Sequence, residues 1–429
     1  MNYDFSREFA TKQDQEDPLR AFRKEFLFPQ HNGNSVVYLT GNSLGLQPIT
    51  AKEYIVQELE DWAKYGVEGH FEARRPWMPY HEFFAASLAR LMGAKESEVV
   101  AMNGLTTNLH LMMVSFFKPQ GKRTKILTEG KAFPSDQYAV ESQLKFHGLN
   151  PSEHLIELFP REGEHAIREE DVLSTIEENA DELALVFIGG VNYYSGQLFN
   201  MKQITDAGRA AGAVVGWDLA HAAGNVDLDL HAWGADFAAW CSYKYLNSGP
   251  GGISGVFVHE RHHKNKDLHR FAGWWGHNKE RRFLMEPGFD PIESAEAWQT
   301  SNAPVLSMAP HLASLHQFDR MDLALRADKR RDLTGYLEFV INTVAEKNNA
   351  DFEIITPQAT NERGSQLSVL MHGQGKALFD KLTQKGVIAD WREPNVIRMA
   401  PVPMYNSYED VYRFGEYLNE SIQELKNEQ

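Results

Sequence analysis

Short apolar stretches alternate with helical segments through the middle of this 429-residue chain, and this alternation limits the folds available to it. The strand candidates are residues 125–128, 183–188, 213–217 and 237–241. Because a helix-length segment separates most neighbouring candidates, the pattern is typical of crossover units with parallel strands. The sequence therefore predicts an α/β fold around a mostly parallel sheet.

Composition and charge exclude several classes of partner. With 42% hydrophobic and 24% charged residues, the chain is predicted to be globular and not disordered. Its net charge of −16 argues against a nucleic-acid partner, because such binding needs an excess of lysine and arginine. The first residues lack the pattern of a secretory signal, and no run approaches the ~18 apolar residues of a membrane span. We therefore expect a cytoplasmic enzyme with no membrane partner.

The chain is predicted to contain a large and a small domain. We assign residues 51–310 to the large domain and residues 311–429 to a small C-terminal α+β domain. Residues 1–50 are expected to be an N-terminal segment associated with the small domain. The strand candidates of the small domain are residues 352–355, 366–371 and 396–399.

A helix is predicted at the start of the large domain, over residues 49–65. Ile55, Leu59 and Trp62 recur there at helical spacing, with acids and lysines between them. This spacing is typical of an amphipathic helix.

Two motif matches occur in the wrong structural context. His259, Glu260 and His263 match the zinc motif H-E-x-x-H, but the preceding GGISGVFV predicts a strand end and not a helix. Residues 41–45 match G-x-S-x-G, but Pro48 delays the helix that should follow a serine nucleophile at once. Neither a zinc protease nor a serine hydrolase is therefore the preferred interpretation, and we expect no metal site.

Asp218 and Lys244 each follow an apolar strand candidate. The carboxyl ends of parallel strands border the ligand crevice of an α/β sheet, so Asp218 and the nearby His221 could contact a ligand. The alternative is that Asp218 caps the next turn. Lys244 lies among aromatic residues, where loss of solvation favours the neutral, nucleophilic amine. A lysine and a carboxylate in these positions fit pyridoxal phosphate, whose aldehyde binds lysine and whose ring nitrogen pairs with a carboxylate.

Two further segments could complete a pyridoxal-phosphate site. Thr106 and Thr107 follow Gly104 at a predicted helix N-terminus, where free N–H groups favour a phosphate. In the segment KAFPSDQY, Phe133 offers a ring to stack on the cofactor and Asp136 offers a polar contact. Helix capping and ordinary packing are the alternatives for these residues.

A set of motifs in a fixed order covers nearly the whole chain. They are GNSLGLQP, RPW, NGLTTNLH, FPSDQY, YYSGQ, WDLAHAAGN, CSYKYLNSGPGG, GWWGH, SNAP and RMAPVPMYNS. Together they resemble kynureninase, a fold-type I pyridoxal-phosphate enzyme of the aminotransferase superfamily. The resemblance implies a large, mostly parallel seven-stranded sheet domain and a smaller α+β domain. It also implies a homodimer.

The resemblance assigns roles to individual residues. Lys244 would carry the cofactor covalently, Asp218 would hold its protonated ring nitrogen, and His221 would lie beside the ring. Arg398 would bind the substrate α-carboxylate, and on sequence alone the alternative is a surface arginine on an edge strand. The further cofactor contacts implied are Leu105, Thr106, Phe133, Asp136, Tyr243, Trp274 and Asn302, with Trp274 and Asn302 reaching in from a second subunit. The further substrate contacts implied are His70, Ser43, Ser301 and Asn302.

The activity implied is hydrolysis of L-kynurenine at Cβ–Cγ to alanine and anthranilate, a step of tryptophan catabolism. We expect 3-hydroxykynurenine to be accepted as well, and Tyr194 or Tyr243 could assist proton transfer. An aminotransferase would share Lys244 and Asp218. A cysteine desulfurase would need a mobile thiol, but the single cysteine, Cys241, lies in a predicted buried strand. A non-catalytic protein on the same fold is the remaining alternative.

Overall fold

The computed structural model describes residues 2–428. The α-helices, in chain order, are α1 Arg7–Glu16, α2 Ala51–Tyr65, α3 Gly69–Glu72, α4 Ala85–Met92, α5 Leu105–Phe116, α6 Pro134–Phe146, α7 Pro151–His154, α8 Glu169–Glu178, α9 Met201–Ala210, α10 Leu230–Trp233, α11 Val305–Asp319, α12 Leu323–Asn348, α13 Gly375–Gln384 and α14 Tyr408–Asn427. The β-strands are β1 Phe26–Leu27, β2 Gln30–His31, β3 Asn34–Ser35, β4 Val37–Tyr38, β5 Gln47–Pro48, β6 Val99–Ala101, β7 Lys125–Glu129, β8 Leu155–Leu158, β9 Leu183–Gly189, β10 Val214–Asp218, β11 Phe237–Trp240, β12 Gly255–Val258, β13 Phe352–Ile354, β14 Leu367–Met371, β15 Val387–Ile388, β16 Asp390–Arg392 and β17 Val396–Met399.

The chain divides into two compact units. The large unit comprises residues 51–193 and 199–316, and the small unit comprises residues 2–50, 194–198 and 317–428. The short segment 194–198 thus groups with the small unit, although it lies between two parts of the large one. The domain boundaries proposed from the sequence stay a prediction.

A seven-stranded sheet forms the centre of the large unit, in the order β6-β12-β11-β10-β9-β7-β8. β9 pairs in parallel with β10 and β7, and β12 runs antiparallel to both of its neighbours. The six residues from Leu183 to Ile188 of β9 are all buried, as expected for a strand covered on both faces. The predicted mostly parallel sheet is confirmed.

The parallel register brings three strand ends to one edge of this sheet. Asp218, the last residue of β10, pairs with Gly189, the last residue of β9. β7 is the other neighbour of β9 and ends at Glu129. Because parallel strands end at the same edge, residues far apart in sequence become neighbours there. This edge carries the candidate site.

The small unit contains a four-stranded antiparallel sheet in the order β13-β14-β17-β16. β17 is therefore an interior strand. A separate parallel pair joins β4 of the N-terminal segment to β15. The apolar core of this unit takes side chains from α12, α14, β14 and β17, including Leu337, Phe414 and Val369.

Helix α2 begins within two residues of its predicted start and ends at the predicted residue, but its packing differs from the usual pattern. Its buried residues include two acids, Glu58 and Asp61, whereas Trp62 on the same helix is 60% exposed. Glu58 accepts hydrogen bonds from Arg75 at 2.8 Å and from Tyr80 at 2.9 Å, which explains how this carboxylate can be buried. The apolar side of α2 therefore faces outward in the single chain.

Among residues 2–428, no helix is both long and apolar enough to cross a membrane.

Candidate active site

A cavity of about 490 Å³ opens in the large unit at the edge where β7, β9 and β10 end. Its volume lies within the range of small-molecule sites. The cavity brings together most of the cofactor contacts predicted from the sequence. These are Leu105, Thr106, Phe133, Asp136, Asp218, His221, Tyr243 and Lys244.

Lys244 supplies the amine of this cavity. Its Nζ lies 3.1 Å from Nε2 of His221, and 5.9 Å from the ring centroids of both Phe133 and Tyr243. Among the described residues, no carboxylate lies within salt-bridge distance of this Nζ. The amine is therefore held among rings and an imidazole, where it can act as a nucleophile.

Asp218 and Asp136 form a buried carboxyl pair. One oxygen of Asp218 accepts the N–H of Ala220 at 2.7 Å, so the capping role considered for this residue is also present. Burial and the negative charge of Asp218 raise the pKa of Asp136 well above its usual value. Asp136 therefore favours its neutral, protonated form, which can donate a hydrogen bond to Asp218.

Glu129 is a third carboxyl in the cavity, which the sequence interpretation missed. It is buried and accepts hydrogen bonds from the N–H of Gly189 at 3.2 Å and from the side-chain amide of Asn192 at 3.3 Å. Burial, followed by the charge of Asp218, raises the pKa of Glu129 to about 8. The signal in the sequence was its position at the end of an apolar strand candidate, the same signal that identified Asp218.

The N-terminus of α5 lines another part of the cavity. Gly104 is the N-cap and makes no side-chain capping bond, and the first intrahelical bond runs from Asn108 to Gly104 at 3.0 Å. The N–H groups of residues 105–107 therefore precede the helical hydrogen-bond ladder. An uncapped helix N-terminus lined by Thr106 suits a phosphate group.

A second cavity of about 510 Å³ lies on the large unit and contains His70 and Asn302. Pro304 and Ser307 line both cavities, so the two are adjacent. The His70 ring packs edge-on against Trp77, with centroids 5.5 Å apart. The structure thus brings together two of the residues predicted to surround the substrate ring.

Four predicted site residues do not line either cavity. Trp274 is 47% exposed, and its Nε1 donates a hydrogen bond to the carbonyl of Arg282 at 3.1 Å. Ser301 is exposed on the large unit, and Ser43 is exposed in a turn of the small unit. Arg398 also belongs to the small unit.

Arg398 is almost fully buried, with 1% of its surface exposed, and it is ion-paired with Asp390. It lies on β17, between β14 and β16. The alternative of a surface arginine on an edge strand is therefore wrong. A guanidinium offers planar, parallel N–H donors, so Arg398 has the chemistry to bind a planar anion.

The H-E-x-x-H segment has the predicted strand-end context. β12 ends at Val258, and Glu260–His262 form one 3₁₀ turn. Glu98 accepts hydrogen bonds from the backbone N–H of Lys95 and of Glu260 and lies 2.9 Å from Nδ1 of His231. Through these bonds, Glu98 connects the segments that contain Lys95, Glu260 and His231.

Cys241 follows β11 and is buried, with 1% of its surface exposed. Burial raises the pKa of its thiol. The thiol is therefore kept neutral and away from solvent, in contrast to the exposed thiolate that a persulfide-forming enzyme needs.

The chain matches two family models, described as aminotransferase class-V over residues 37–286 and as the kynureninase C-terminal domain over residues 327–418. A kynureninase of Flavobacterium johnsoniae is 59% identical, over 98% of this chain and 99% of that protein. A kynureninase of Nematostella vectensis is 47% identical, over 98% of this chain and 95% of that protein.

Solved structures of other enzymes share the fold at low identity. A cysteine desulfurase from Thermococcus onnurineus NA1 superposes with a TM-score of 0.74 at 18% identity, covering 94% of this chain and 98% of that chain. A mutant of C-DES with glycine linked to its PLP cofactor superposes with a TM-score of 0.76 at 16% identity, covering 90% of this chain and 96% of that chain. These likenesses show the fold alone.

We expect the Cys241 thiol of the folded protein to react with an aromatic disulfide reagent at least ~100-fold more slowly than the thiol of the urea-unfolded chain, because only the exposed thiolate is nucleophilic. The chromophore released after unfolding should equal one thiol per chain, since the chain has one cysteine. The Cys241→Ser variant is the blank. Fast reaction of the folded protein would contradict the burial of this thiol.

Proposed function

The chain belongs to the kynureninase family, and on that premise we propose that it uses pyridoxal phosphate to hydrolyse L-kynurenine at Cβ–Cγ, giving L-alanine and anthranilate in tryptophan catabolism. We further propose that 3-hydroxykynurenine is a second substrate. The observation that supports this function best is that an amine, a carboxyl pair and an uncapped helix N-terminus meet in one cavity.

The residues of this cavity fit pyridoxal phosphate. The cofactor needs an amine for its aldehyde, an anion for its ring nitrogen and donors for its phosphate. Lys244, Asp218 and the N-terminus of α5 have these chemistries, and Phe133 adds an aromatic face. When bound, the cofactor withdraws electrons from the bonds at the substrate Cα, which makes the Cα proton and later the Cβ–Cγ bond labile.

Lys244 and His221 would move the substrate proton. Lys244 Nζ would take up the Cα proton, because it is the amine of this cavity. Nε2 of His221, 3.1 Å away, can orient this amine. Asp218 would pair with the protonated ring nitrogen, and Asp136, whose pKa is raised by burial and by the charge of Asp218, would support it as a neutral hydrogen-bond donor.

The remaining steps concern the substrate side chain. Water adds to the γ-carbonyl, and collapse of this hydrate breaks the Cβ–Cγ bond, so that Cγ becomes the carboxyl of anthranilate. Cβ then accepts a proton and becomes the methyl group of alanine. Tyr243 or Tyr194 could carry these protons. Arg398 binds the substrate α-carboxylate in our proposal, because a buried guanidinium offers two parallel donors.

We expect Lys244→Ala to abolish borohydride-dependent fixation of the cofactor and to lower kcat by at least ~10³-fold, because the variant lacks both the attachment point and the base. The purified wild type should be yellow and, after reduction, should carry the cofactor mass on the peptide that contains Lys244. The control is Lys376→Ala, which removes an exposed lysine of the small unit. Covalent fixation that persists without Lys244 would refute the site.

His70, Asn302, Ser301 and Ser43 are proposed to contact the substrate ring or its neighbourhood. His70 and Asn302 share the second cavity, which also contains Trp62 and Trp77. Aromatic side chains provide packing for an aryl ring, and the imidazole and amide can bond to a ring hydroxyl. This combination supports acceptance of both kynurenine and its 3-hydroxy form.

We expect the wild type to cleave 3-hydroxykynurenine with a kcat/KM at least comparable to that for kynurenine. Asn302→Ala should lower kcat/KM for the hydroxylated substrate ~5- to 150-fold more than for kynurenine, because one hydrogen bond to the hydroxyl contributes about 1–3 kcal/mol. Steady-state rates with both substrates measure this ratio. A strong preference of the wild type for plain kynurenine would count against the proposal.

A homodimer is proposed on the basis of exposed apolar surface. The outward side of α2 carries Val56, Leu59 and Trp62, and Phe71 follows on α3, all of them exposed. Phe283, Leu284 and Met285 form a second exposed apolar segment near Trp274. Large exposed apolar patches mark interaction surfaces, and a second copy of the chain is the partner that the family suggests. A cytoplasmic location stays a prediction from the sequence.

We expect Trp274 to complete the site of the partner subunit, so that two inactive variants restore activity when mixed. Lys244→Ala and Trp274→Ala chains, dissociated and reassociated together, should recover about one quarter of wild-type activity, since half of the dimers are mixed and each has one intact site. Light scattering gives the oligomeric state. No recovery, with mixed dimers verified by differential tags, would show that Trp274 acts within its own chain or not at all.

A further inference from the structure

Glu129 takes no part in the steps above, although it ends a strand beside the catalytic carboxyl pair. Its carboxyl lies directly over the end of β9, where Gly189 has no side chain. A Cβ atom on Gly189 would lie 3.1 Å and 3.4 Å from the two carboxyl oxygens of Glu129. The glycine therefore allows the carboxyl to reach the backbone N–H at the strand end.

The two hydrogen-bond donors of Glu129 are uncharged. They are the N–H of Gly189 and the amide of Asn192, at 3.2 Å and 3.3 Å. Among the residues that the structure describes, no lysine, arginine or histidine forms an ion pair with Glu129. A buried carboxylate without a positive partner is costly, because the protein interior solvates charge poorly.

The charged groups around Glu129 come from several elements. Asp218 on β10 and Asp136 on α6 are acidic, and the negative charge of Asp218 acts on Glu129 directly. Lys244 and His221 line the same cavity, where their side chains contact each other. Among the described residues, neither forms an ion pair with Glu129. Three carboxyls at one buried sheet edge cannot all be ionised, since like charges repel strongly at low dielectric.

We propose that Glu129 is a positioning residue that holds a proton at neutral pH and thereby restricts the negative charge at this sheet edge to the Asp136–Asp218 pair. The inference rests on the proposed function, because the charge of that pair matters for a cofactor ring nitrogen. Burial and the charge of Asp218, which raise the pKa of Glu129 to about 8, agree with it. Above that pH, a second negative charge appears at the site.

The pH dependence of the free energy of unfolding should show whether Glu129 holds this proton. The pKa of a glutamate is ~4.3 in an unfolded chain and is raised in the folded one, so the stabilisation is complete at low pH and is lost as pH rises to about 8. Glu129→Gln keeps the shape and the neutral charge but cannot ionise. The unfolding constant of wild type, relative to that of Glu129→Gln, should therefore rise by up to about tenfold per pH unit between about pH 5 and pH 8.

The matched control is Glu157→Gln. Glu157 lies on the neighbouring strand β8, where it pairs with Thr128, the residue before Glu129, and its side chain is exposed. This variant makes the same Glu-to-Gln replacement, but at a carboxylate exposed to solvent on the next strand. We expect its urea midpoint to follow that of the wild type over the same pH range.

Two spectroscopic measurements on the holoenzyme test the proton directly. With glutamate side-chain carboxyls labelled with ¹³C, infrared spectra at pH 7 should contain the band of a neutral glutamic acid, shifted by the label and absent from Glu129→Gln. Asp136 does not take this label. The visible absorbance of the bound cofactor should change with a midpoint near pH 8 in the wild type and lose that component in Glu129→Gln.

A wild type that lacks the labelled acid band at pH 7, or a Glu129→Gln variant whose stability parallels that of Glu157→Gln at every pH, would overturn the inference. The absence of this band from the wild type would overturn the inference even if Glu129→Gln does not fold. A chain that binds no pyridoxal phosphate would instead refute the proposed function, and its labelled acid band would still report on Glu129.

Discussion

The parallel register of β7, β9 and β10 is the constraint on which the candidate site depends. Asp218 and Gly189 are paired at the ends of adjacent strands, and Glu129 ends the next strand. Parallel strands also require crossover helices, which bury both faces of the sheet and leave its edge as the open surface. A one-residue slip of β10 would turn Asp218 to the opposite face, so the burial of Val215 and Trp217 fixes the position of the carboxylate as well.

Charge is distributed unevenly across the cavity. Three acids lie at the sheet edge, whereas the N-terminus of α5 presents backbone N–H groups without a side-chain cap. A ligand with a protonated ring nitrogen at one end and a phosphate at the other complements this distribution. The charge distribution of the cavity therefore favours one orientation of such a ligand. Lys244 is suited to attach the cofactor because its Nζ has an imidazole and two rings as neighbours and is not held by a carboxylate.

The sequence predicted what continuous apolar runs and local spacing determine. The strands β7, β9, β10 and β11 lie within about one residue of their predicted bounds because each has buried apolar residues at its centre. Asp218 and Lys244 followed from their positions after such strands. Glu129 has the same position, but a glutamate before a glycine also resembles an ordinary turn, and its burial depends on β9 and β10.

The outward apolar side of α2 was not predictable from local sequence either. Glu58 is buried because it accepts hydrogen bonds from Arg75 and Tyr80, which lie 17 and 22 residues away. The grouping of residues 194–198 with the small unit likewise has no local signal.

The fold that this chain shares with cysteine desulfurases does not decide between sulfur and carbon chemistry, since the lysine and the carboxylate at the strand ends would serve either. The position of the thiol distinguishes between these two chemistries. Cys241 lies directly after a central strand, where burial keeps its thiol neutral. A nucleophile that must reach a substrate sulfur needs an exposed, mobile loop. With the thiol excluded, the groups left to act on a bound amino acid are proton carriers, among them Lys244 and Tyr243, together with water. Such groups can complete a hydrolysis, in which every bond that breaks is replaced by a bond to oxygen or hydrogen.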